Sequence, residues 1–177
     1  MTRKNLLILL VLVCIMSSCG MVQSIVKSTL PYTTTLTIPA SSQVGVVQST
    51  TNTATSFDQN FSITGNNGQH ISEVSVISAK IEASEPADYN IGNLSMVKIY
   101  ASKNDGKDEV LVASQTNIAA TTGNFLMLKV DNTRFLDQLV REPDMRIRMA
   151  YQLRKKTDAD VNVHLVLNIH AYPAGRN

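Results

Sequence analysis

Side chains that act as nucleophiles or metal ligands are few in this sequence and lie far apart. Cysteine occurs only at Cys14 and Cys19, and histidine only at His70, His164 and His170. His164 and His170 share one solvated face of a predicted strand, but six residues at about 3.3 Å each separate them by roughly 20 Å, too far to share an ion. No G-x-S-x-G, G-x-G-x-x-G or P-loop segment is present. The sequence therefore predicts a protein that is not an enzyme and has no metal site or cofactor.

Both cysteines belong to an N-terminal segment with the layout of a secretory signal. Arg3 and Lys4 precede an apolar run, LLILLVLVCIM, over residues 6–16. A membrane-spanning helix needs about 20 apolar residues, so this run is too short to cross a bilayer. It fits the hydrophobic region of a signal peptide, in which Cys14 is an apolar filler.

Residues 16–19, Met16-Ser17-Ser18-Cys19, resemble the lipobox of bacterial lipoproteins, because an apolar residue and two small residues precede a cysteine. The resemblance implies that a diacylglycerol group is joined to the Cys19 thiol, that residues 1–18 are removed, and that the new amine is acylated. A blocked Cys19 leaves no thiol for a disulfide or a zinc site. Three acyl chains hold a protein on a membrane far more firmly than one.

The residues after Cys19 bear on which membrane the protein occupies. In Gram-negative lipoproteins an Asp directly after the cysteine signals inner-membrane retention, and this chain has Gly20. Residues 20–24 also lack the acidic residues that send some lipoproteins to the cell surface. The resemblance implies the periplasmic face of the outer membrane, with surface exposure left open.

Charge and aromatic content argue against nucleic-acid binding. The formal charge of +2 comes from Arg3 and Lys4, since the remainder has equal numbers of basic and acidic residues. Trp is absent, and the few Tyr and Phe residues supply little surface on which bases could stack.

Alternation of apolar and polar residues predicts strands along most of the chain. In the middle of the chain it assigns Ser75, Ile77, Ala79, Ile81 and Ala83 to one face. Its strongest examples are residues 145–153 and 161–171, separated by a polar turn, which predict an antiparallel hairpin. Residues 132–141 have helical spacing instead, and Pro143 follows them.

About eight or nine short strands, each with one buried and one wet face, favour an antiparallel β-sandwich of immunoglobulin-like or transthyretin-like type with one short helix. The predicted domain organisation has three parts. Residues 1–18 are the lipoprotein signal peptide, residues 19–30 a tether, and residues 31–177 a single β-sandwich domain.

Five basic residues form a candidate docking surface for a partner or for lipid headgroups. They are Arg146, Arg148, Arg154, Lys155 and Lys156. One reading is an acidic protein partner or anionic headgroups bound by this surface. The other is a charged outer face that keeps the sheet soluble and is neutralised by Asp158 and Asp160 on the facing strand.

Together these features predict a lipid-anchored, non-enzymatic envelope protein that acts as a structural or accessory subunit by binding another protein. Its size and layout are similar to the small sandwich lipoproteins that tether secretion machines, such as type VI secretion systems, to the outer membrane. The alternative is a surface lipoprotein that captures a ligand or glycan in an aromatic pocket. The tyrosines available for such a pocket are Tyr32, Tyr89, Tyr100, Tyr151 and Tyr172.

Replacing Cys19 with Ala removes the thiol that the lipobox resemblance identifies as the acylation site. We expect full-length Cys19→Ala to lose labelling by radioactive palmitate and to leave the membrane fraction of the cell. Cys14→Ala is the matched control and should behave like the parent. Equal labelling and fractionation of Cys19→Ala and the parent would contradict the lipoprotein interpretation.

Overall fold

The computed structural model describes most of the chain after residue 27. The described residues are 28–56, 71–133, 136–137, 139–140 and 144–173. The predicted signal peptide, Cys19 and most of the predicted tether lie outside them, as does His70.

Eight strands make up nearly all the regular structure of this part of the chain. They are β1 (Ser28–Ile38), β2 (Val47–Ser56), β3 (Ile71–Glu85), β4 (Leu94–Ser102), β5 (Val110–Thr116), β6 (Phe125–Val130), β7 (Asp144–Leu153) and β8 (Val161–Pro173). A 3₁₀ turn at Ile91–Asn93 precedes β4 and is the only helical element among the described residues. The Asn90 side chain caps this turn by accepting a hydrogen bond from the Gly92 N–H.

The strands close into an antiparallel barrel in the order β1-β2-β7-β4-β5-β6-β3-β8, and β8 pairs back to β1. Two of the seams are short, since β1 pairs with β2, and β5 with β6, at two positions each. The barrel therefore has two four-stranded halves, β1-β8-β3-β6 and β2-β7-β4-β5. This is the strand order of a jelly roll, in which eight strands form two Greek keys.

The predicted immunoglobulin-like or transthyretin-like sandwich with a helix is wrong, whereas the all-β class is confirmed. The predicted C-terminal hairpin is also wrong, because β7 pairs with β2 and β4 while β8 pairs with β1 and β3. The inward faces of both strands were predicted correctly. Their buried residues are Met145, Ile147, Met149, Tyr151, Leu153, Val161, Val163, Leu165, Leu167 and Ile169. Alternation identifies the face that a side chain occupies but contains no information about the neighbouring strand.

The described part of the predicted helix at residues 132–141 forms turns tied to β3. Leu136, Leu139 and Val140 are buried, as their spacing predicts. The Leu136 N–H, however, donates to the Val74 carbonyl, 2.8 Å away. The Asn132 side chain also donates to the carbonyl of Val76 and accepts from its N–H. The Leu139 and Val140 N–H groups donate to the Leu136 carbonyl, so the described residues here form a single turn that is bonded to the edge of β3.

Strand β3 contains a bulge that reverses which residues face the core. The register against β8 shifts between Val76 and Ser78, so Ile77 is an extra residue. Val76 faces the core before the bulge and Ala79 faces it afterwards, while Ile77 is left 52 % exposed. The predicted grouping of Ile77 with Ala79 and Ile81 is therefore wrong, because strict alternation fails wherever one strand has an additional residue.

The register also fixes which loops lie together. Ser28 of β1 pairs with Ala171 of β8, and Ile38 pairs with Val161. Because every pairing is antiparallel, β1, β3, β5 and β7 all begin at the same end of the barrel, here called the N-terminal end. The loops at the other end, here called the distal end, comprise residues 39–46, 86–93, 117–124 and 154–160.

Inward-facing side chains from all eight strands fill the barrel, as expected for an eight-stranded barrel. Two buried tyrosines contribute polar groups to this core. The Tyr151 hydroxyl lies 2.8 Å from the Ser42 hydroxyl, within hydrogen-bonding distance. Burial, with a smaller contribution from the Asp144 charge, raises the pKa of Tyr32 to about 12, so this hydroxyl stays neutral at physiological pH.

Gly92 lies where the 3₁₀ turn passes against loop 117–124, and a Cβ there would overlap the backbone carbonyl oxygens of Ala119 and Ala120. We expect Gly92→Ala to lower the free energy of unfolding by about 1–3 kcal/mol, because backbone cannot move aside as a side chain can. Urea unfolding of the full chain measures this loss. Ala120→Ser, at an exposed position of the same contact, should change stability by less than about 0.5 kcal/mol. Equal midpoints for Gly92→Ala and the parent would contradict this packing.

Candidate functional site

The structure divides the five predicted docking residues between a strand and a loop. Arg146 and Arg148 lie on β7, whereas Arg154, Lys155 and Lys156 follow it in the distal loop 154–160. Seven residue steps at about 3.3 Å each place Arg146 roughly 23 Å from Leu153, the last residue of β7, along the strand direction. The five side chains therefore do not form one continuous surface.

Arg148 binds within the protein. Its Nε donates to Glu109 Oε1 at 2.8 Å and its Nη2 donates to Glu109 Oε2 at 2.6 Å. The guanidinium carbon lies 4.1 Å from the centroid of the Tyr100 ring. The hydrogen bonds from Arg148 hold the pKa of Glu109 below its usual value, and those with Glu109 raise the pKa of Arg148. This fork-to-carboxylate pair fastens loop 103–109 to the sheet.

Arg154 joins three distal loops. Its guanidinium donates to the carbonyl oxygens of Gly92 and Ile118, and its backbone N–H donates to the Asn93 carbonyl. Loops 86–93, 117–124 and 154–160 are therefore held together by one residue. Carbonyl oxygens are neutral acceptors, and Arg154 forms no ion pair with a carboxylate in the described ranges.

Arg146 lines a polar groove on the outer surface of the barrel near its N-terminal end. The groove has a volume of about 490 Å³ and its other lining residues are Thr51, Asn52, Thr53, Asn104 and Asp144. Within the described ranges no carboxylate lies within ion-pair distance of Arg146. Asp144 supplies a negative charge to the same groove, so the groove is not uniformly basic.

Lys155 and Lys156 line a second concavity, here called the distal cavity, of about 170 Å³. Loop 86–93 contributes Pro86, Tyr89 and Asn93 to its wall, and the segment around loop 154–160 contributes Lys155, Lys156, Thr157, Asp158, Ala159 and Val161. Backbone hydrogen bonds from Arg154 and Lys155 to the Asn93 carbonyl hold the two walls together. The distal cavity is thus built into the fold, as binding sites for small ligands commonly are.

The distal cavity combines cationic, anionic and apolar groups. Lys155, Lys156 and Asp158 form no ion pair with any residue in the described part of the chain. The half-buried Tyr89 ring packs against the core, and burial raises the pKa of its hydroxyl, which keeps it neutral. Thr157 is 4 % exposed, and its buried hydroxyl has no hydrogen-bond partner among the described residues. A buried hydroxyl without a partner carries a desolvation cost of about 1–3 kcal/mol.

The two lysines of the distal cavity were predicted from the sequence, but Asn93 and Thr157 were not. These residues are 64 positions apart in the printed sequence, and neither belongs to a recognisable motif. Of the tyrosines proposed for an aromatic pocket, Tyr32 and Tyr151 are buried and Tyr100 lies against Arg148. Tyr89 lines the distal cavity. The side chain of Tyr172 is not among those that the structure describes.

Metal ligands do not gather at any place that the structure describes. No group of three or more His, Cys, Asp or Glu residues there could hold a metal ion. His170 is only 8 % exposed, so the prediction that it lies on a solvated face is wrong. No described helix is both long enough and apolar enough to span a membrane.

No family model and no curated protein matches this sequence. A solved chain described as "nora virus structure" is similar with a TM-score of 0.37 and 10 % sequence identity. The similarity covers 85 % of this chain and 61 % of that chain, so this chain spans less than two thirds of it. A likeness at this level supports no argument about function.

The pH dependence of the protein's stability tests the ion pair between Glu109 and Arg148. Because the pKa of Glu109 falls below its ordinary 4.5 on folding, the unfolded state binds the proton more readily, and stability rises with pH across this interval. The contribution should be complete above about pH 5 and lost as pH falls through the folded pKa. With side chains 26 % and 28 % exposed, we expect Glu109→Gln to cost about 1 kcal/mol at pH 7.

Urea unfolding of the parent and Glu109→Gln at pH 7 and pH 3 measures this difference. Asp108→Asn is the control, because the Asp108 side chain is 64 % exposed in its pair with Lys103, and exposed pairs contribute little. If the free energies of unfolding of the parent and Glu109→Gln differ by the same amount at both pH values, the assignment of the lowered Glu109 pKa to its pair with Arg148 is contradicted.

Proposed function

We propose that this protein is a lipid-anchored, non-enzymatic envelope protein that acts as a structural or accessory subunit by binding another protein at its distal end. The observation that supports this most directly is the position of the two ends. The described chain enters the barrel through Ser28 at the N-terminal end, whereas Lys155, Lys156 and the distal cavity lie at the other end.

The reach of the tether limits how far the N-terminal end can lie from the bilayer. Nine residue steps separate Cys19 from Ser28, which span at most about 32 Å when fully extended. Strand β1 has 11 residues, or roughly 35 Å of extended chain. A lipid on Cys19 would therefore hold the N-terminal end within about 32 Å of the bilayer. We propose that the barrel stands upright on this tether, with its distal end directed away from the membrane.

This orientation separates the two roles considered for the basic residues. Lys155 and Lys156 would lie far from lipid headgroups, so they suit an acidic protein partner better. Arg146 lies toward the membrane end, where its groove also contains Asp144. Arg148 and Arg154 bind within the barrel, and we propose that their role is to stiffen the loops that present the site.

We place the protein on the periplasmic face of the outer membrane, on the basis of residues 16–24, with the cell surface as the alternative. The narrower hypothesis of a type VI-like tether loses its architectural support, because it was based on a sandwich. Capture of a ligand or glycan remains a second candidate function, and the observation that favours it is the distal cavity with Tyr89 in its wall.

Site-specific photo-crosslinking in intact cells tests the proposal. A photoreactive residue at Ala159, in the wall of the distal cavity, should give one adduct of defined mass with an envelope protein. The same residue at Lys107, which is exposed at the N-terminal end, is the matched control and should not give that adduct. Lys155→Glu with Lys156→Glu should remove most of the adduct, because the reversed charge repels an acidic partner.

An adduct that forms equally at both positions, or that survives the charge reversal, would contradict docking at the distal end. Protease treatment of intact cells distinguishes the two membrane faces. Protection of the chain supports the periplasmic subunit, and cleavage supports ligand capture at the surface.

A further inference from the structure

We propose that the distal cavity binds the C-terminal carboxylate of a partner polypeptide whose last side chain is apolar. This inference rests on the proposed function, since it names the part of the protein partner that the distal end would hold.

The charged groups of the cavity match a peptide terminus. Lys155 and Lys156 are donors without an ion pair among the described residues, and a terminal carboxylate is an acceptor of charge-assisted hydrogen bonds. Asp158 adds a negative charge to the same lining, next to the two ammonium groups. It can accept a hydrogen bond from the last backbone N–H of a peptide, which lies next to the carboxylate.

The apolar lining provides a place for the last side chain. Pro86, the Tyr89 ring and Val161 form this part of the cavity. Packing an aliphatic side chain against them removes apolar surface from water on both partners. A phosphate would leave this lining unused, and a neutral sugar would leave the two ammonium groups without a counter-charge.

Thr157 supplies an independent sign of a missing ligand atom. Thr157 is only 4 % exposed. Its hydroxyl has no hydrogen-bond partner among the described residues. Buried polar groups are almost always hydrogen-bonded, so an exception in the wall of a cavity points to a group that binds there. The hydroxyl itself is buried, so rotation of the Thr157 side chain would be needed to donate its proton to a carboxylate oxygen between the lysines.

Size restricts the ligand to the end of a chain. A volume of about 170 Å³ corresponds to roughly five or six water molecules of the liquid. This is enough for a carboxylate and one small side chain, and the rest of a longer peptide would lie outside the cavity. Because Arg154 and the Asn93 carbonyl hold the walls, little ordering is needed when the ligand enters.

Isothermal titration and amide NMR of the detergent-solubilised full chain test this inference. The probes are N-acetyl-Ala-Ala-Val with a free C-terminal acid and the same peptide as a C-terminal amide. We expect the acid to bind at least about tenfold more tightly, because the amide loses the charge-assisted hydrogen bonds. The amide signals of residues 155–159 should shift.

Variants locate the contacts. Lys155→Gln with Lys156→Gln should abolish the preference for the acid. Thr157→Val, which keeps the shape, should weaken acid binding by about threefold or more. Lys98→Gln, on strand β4 outside the cavity, is the matched control and should bind as the parent does.

Equal binding of acid and amide, no binding of either at millimolar concentration, or a preference that survives both lysine changes would overturn the inference. A preference for an acid ending in D-Ala-D-Ala would also overturn it, in favour of a cell-wall peptide. If the acid peptide does not bind but the crosslinked adduct at Ala159 still forms, this inference fails and the proposed function stands. If the acid peptide binds but no adduct forms, the proposed protein partner is contradicted and the carboxylate-binding site stands.

Discussion

Pairing of β8 with both β1 and β3 is the constraint on which the rest of this structure depends. β8 forms eleven cross-strand pairs with each neighbour, and its inward residues from Val161 to Ile169 are almost completely buried. The two ladders satisfy the backbone of β8 on both edges, and its inward face supplies a continuous part of the core. Because β1 and β8 are antiparallel, this pairing also places the N-terminal strand beside the C-terminal strand and sets the two ends of the barrel.

The basic side chains divide according to the chemistry of their head groups. A guanidinium has five donors in a fixed plane, which suits the Glu109 carboxylate for Arg148 and two carbonyl oxygens for Arg154. Both arginines thereby fix loops, one at each end of the barrel. Lysine has a compact, strongly hydrated charge, and Lys155 and Lys156 remain beside the distal cavity without an ion pair in the described chain. The ammonium groups of Lys155 and Lys156 are thus available to a partner, whereas the guanidinium groups of Arg148 and Arg154 are bonded within the barrel.

Local patterns predicted burial well in this protein and strand pairing poorly. The inward faces of β7 and β8 follow directly from alternation, and the burial of Leu136, Leu139 and Val140 follows from their spacing. The hairpin between β7 and β8 did not follow, since the two strands belong to opposite halves of the barrel. Ile77 shows the same limit within one strand, because a bulge depends on how β3 aligns with β8 and not on the residues of β3 alone.

By itself the sequence determined the all-β class, the inward residues of the strongest strands and the order of residues at positions 16–19 on which the lipoprotein hypothesis is based. Hydrophobic burial acts on each short segment separately, so its period is visible in the sequence. Only the tertiary structure decided that the strands close into a barrel, that the five basic residues separate, and that Tyr89 and Thr157 meet at one cavity. These depend on contacts between residues far apart in the chain, and no local pattern records which distant strand or loop a segment will meet.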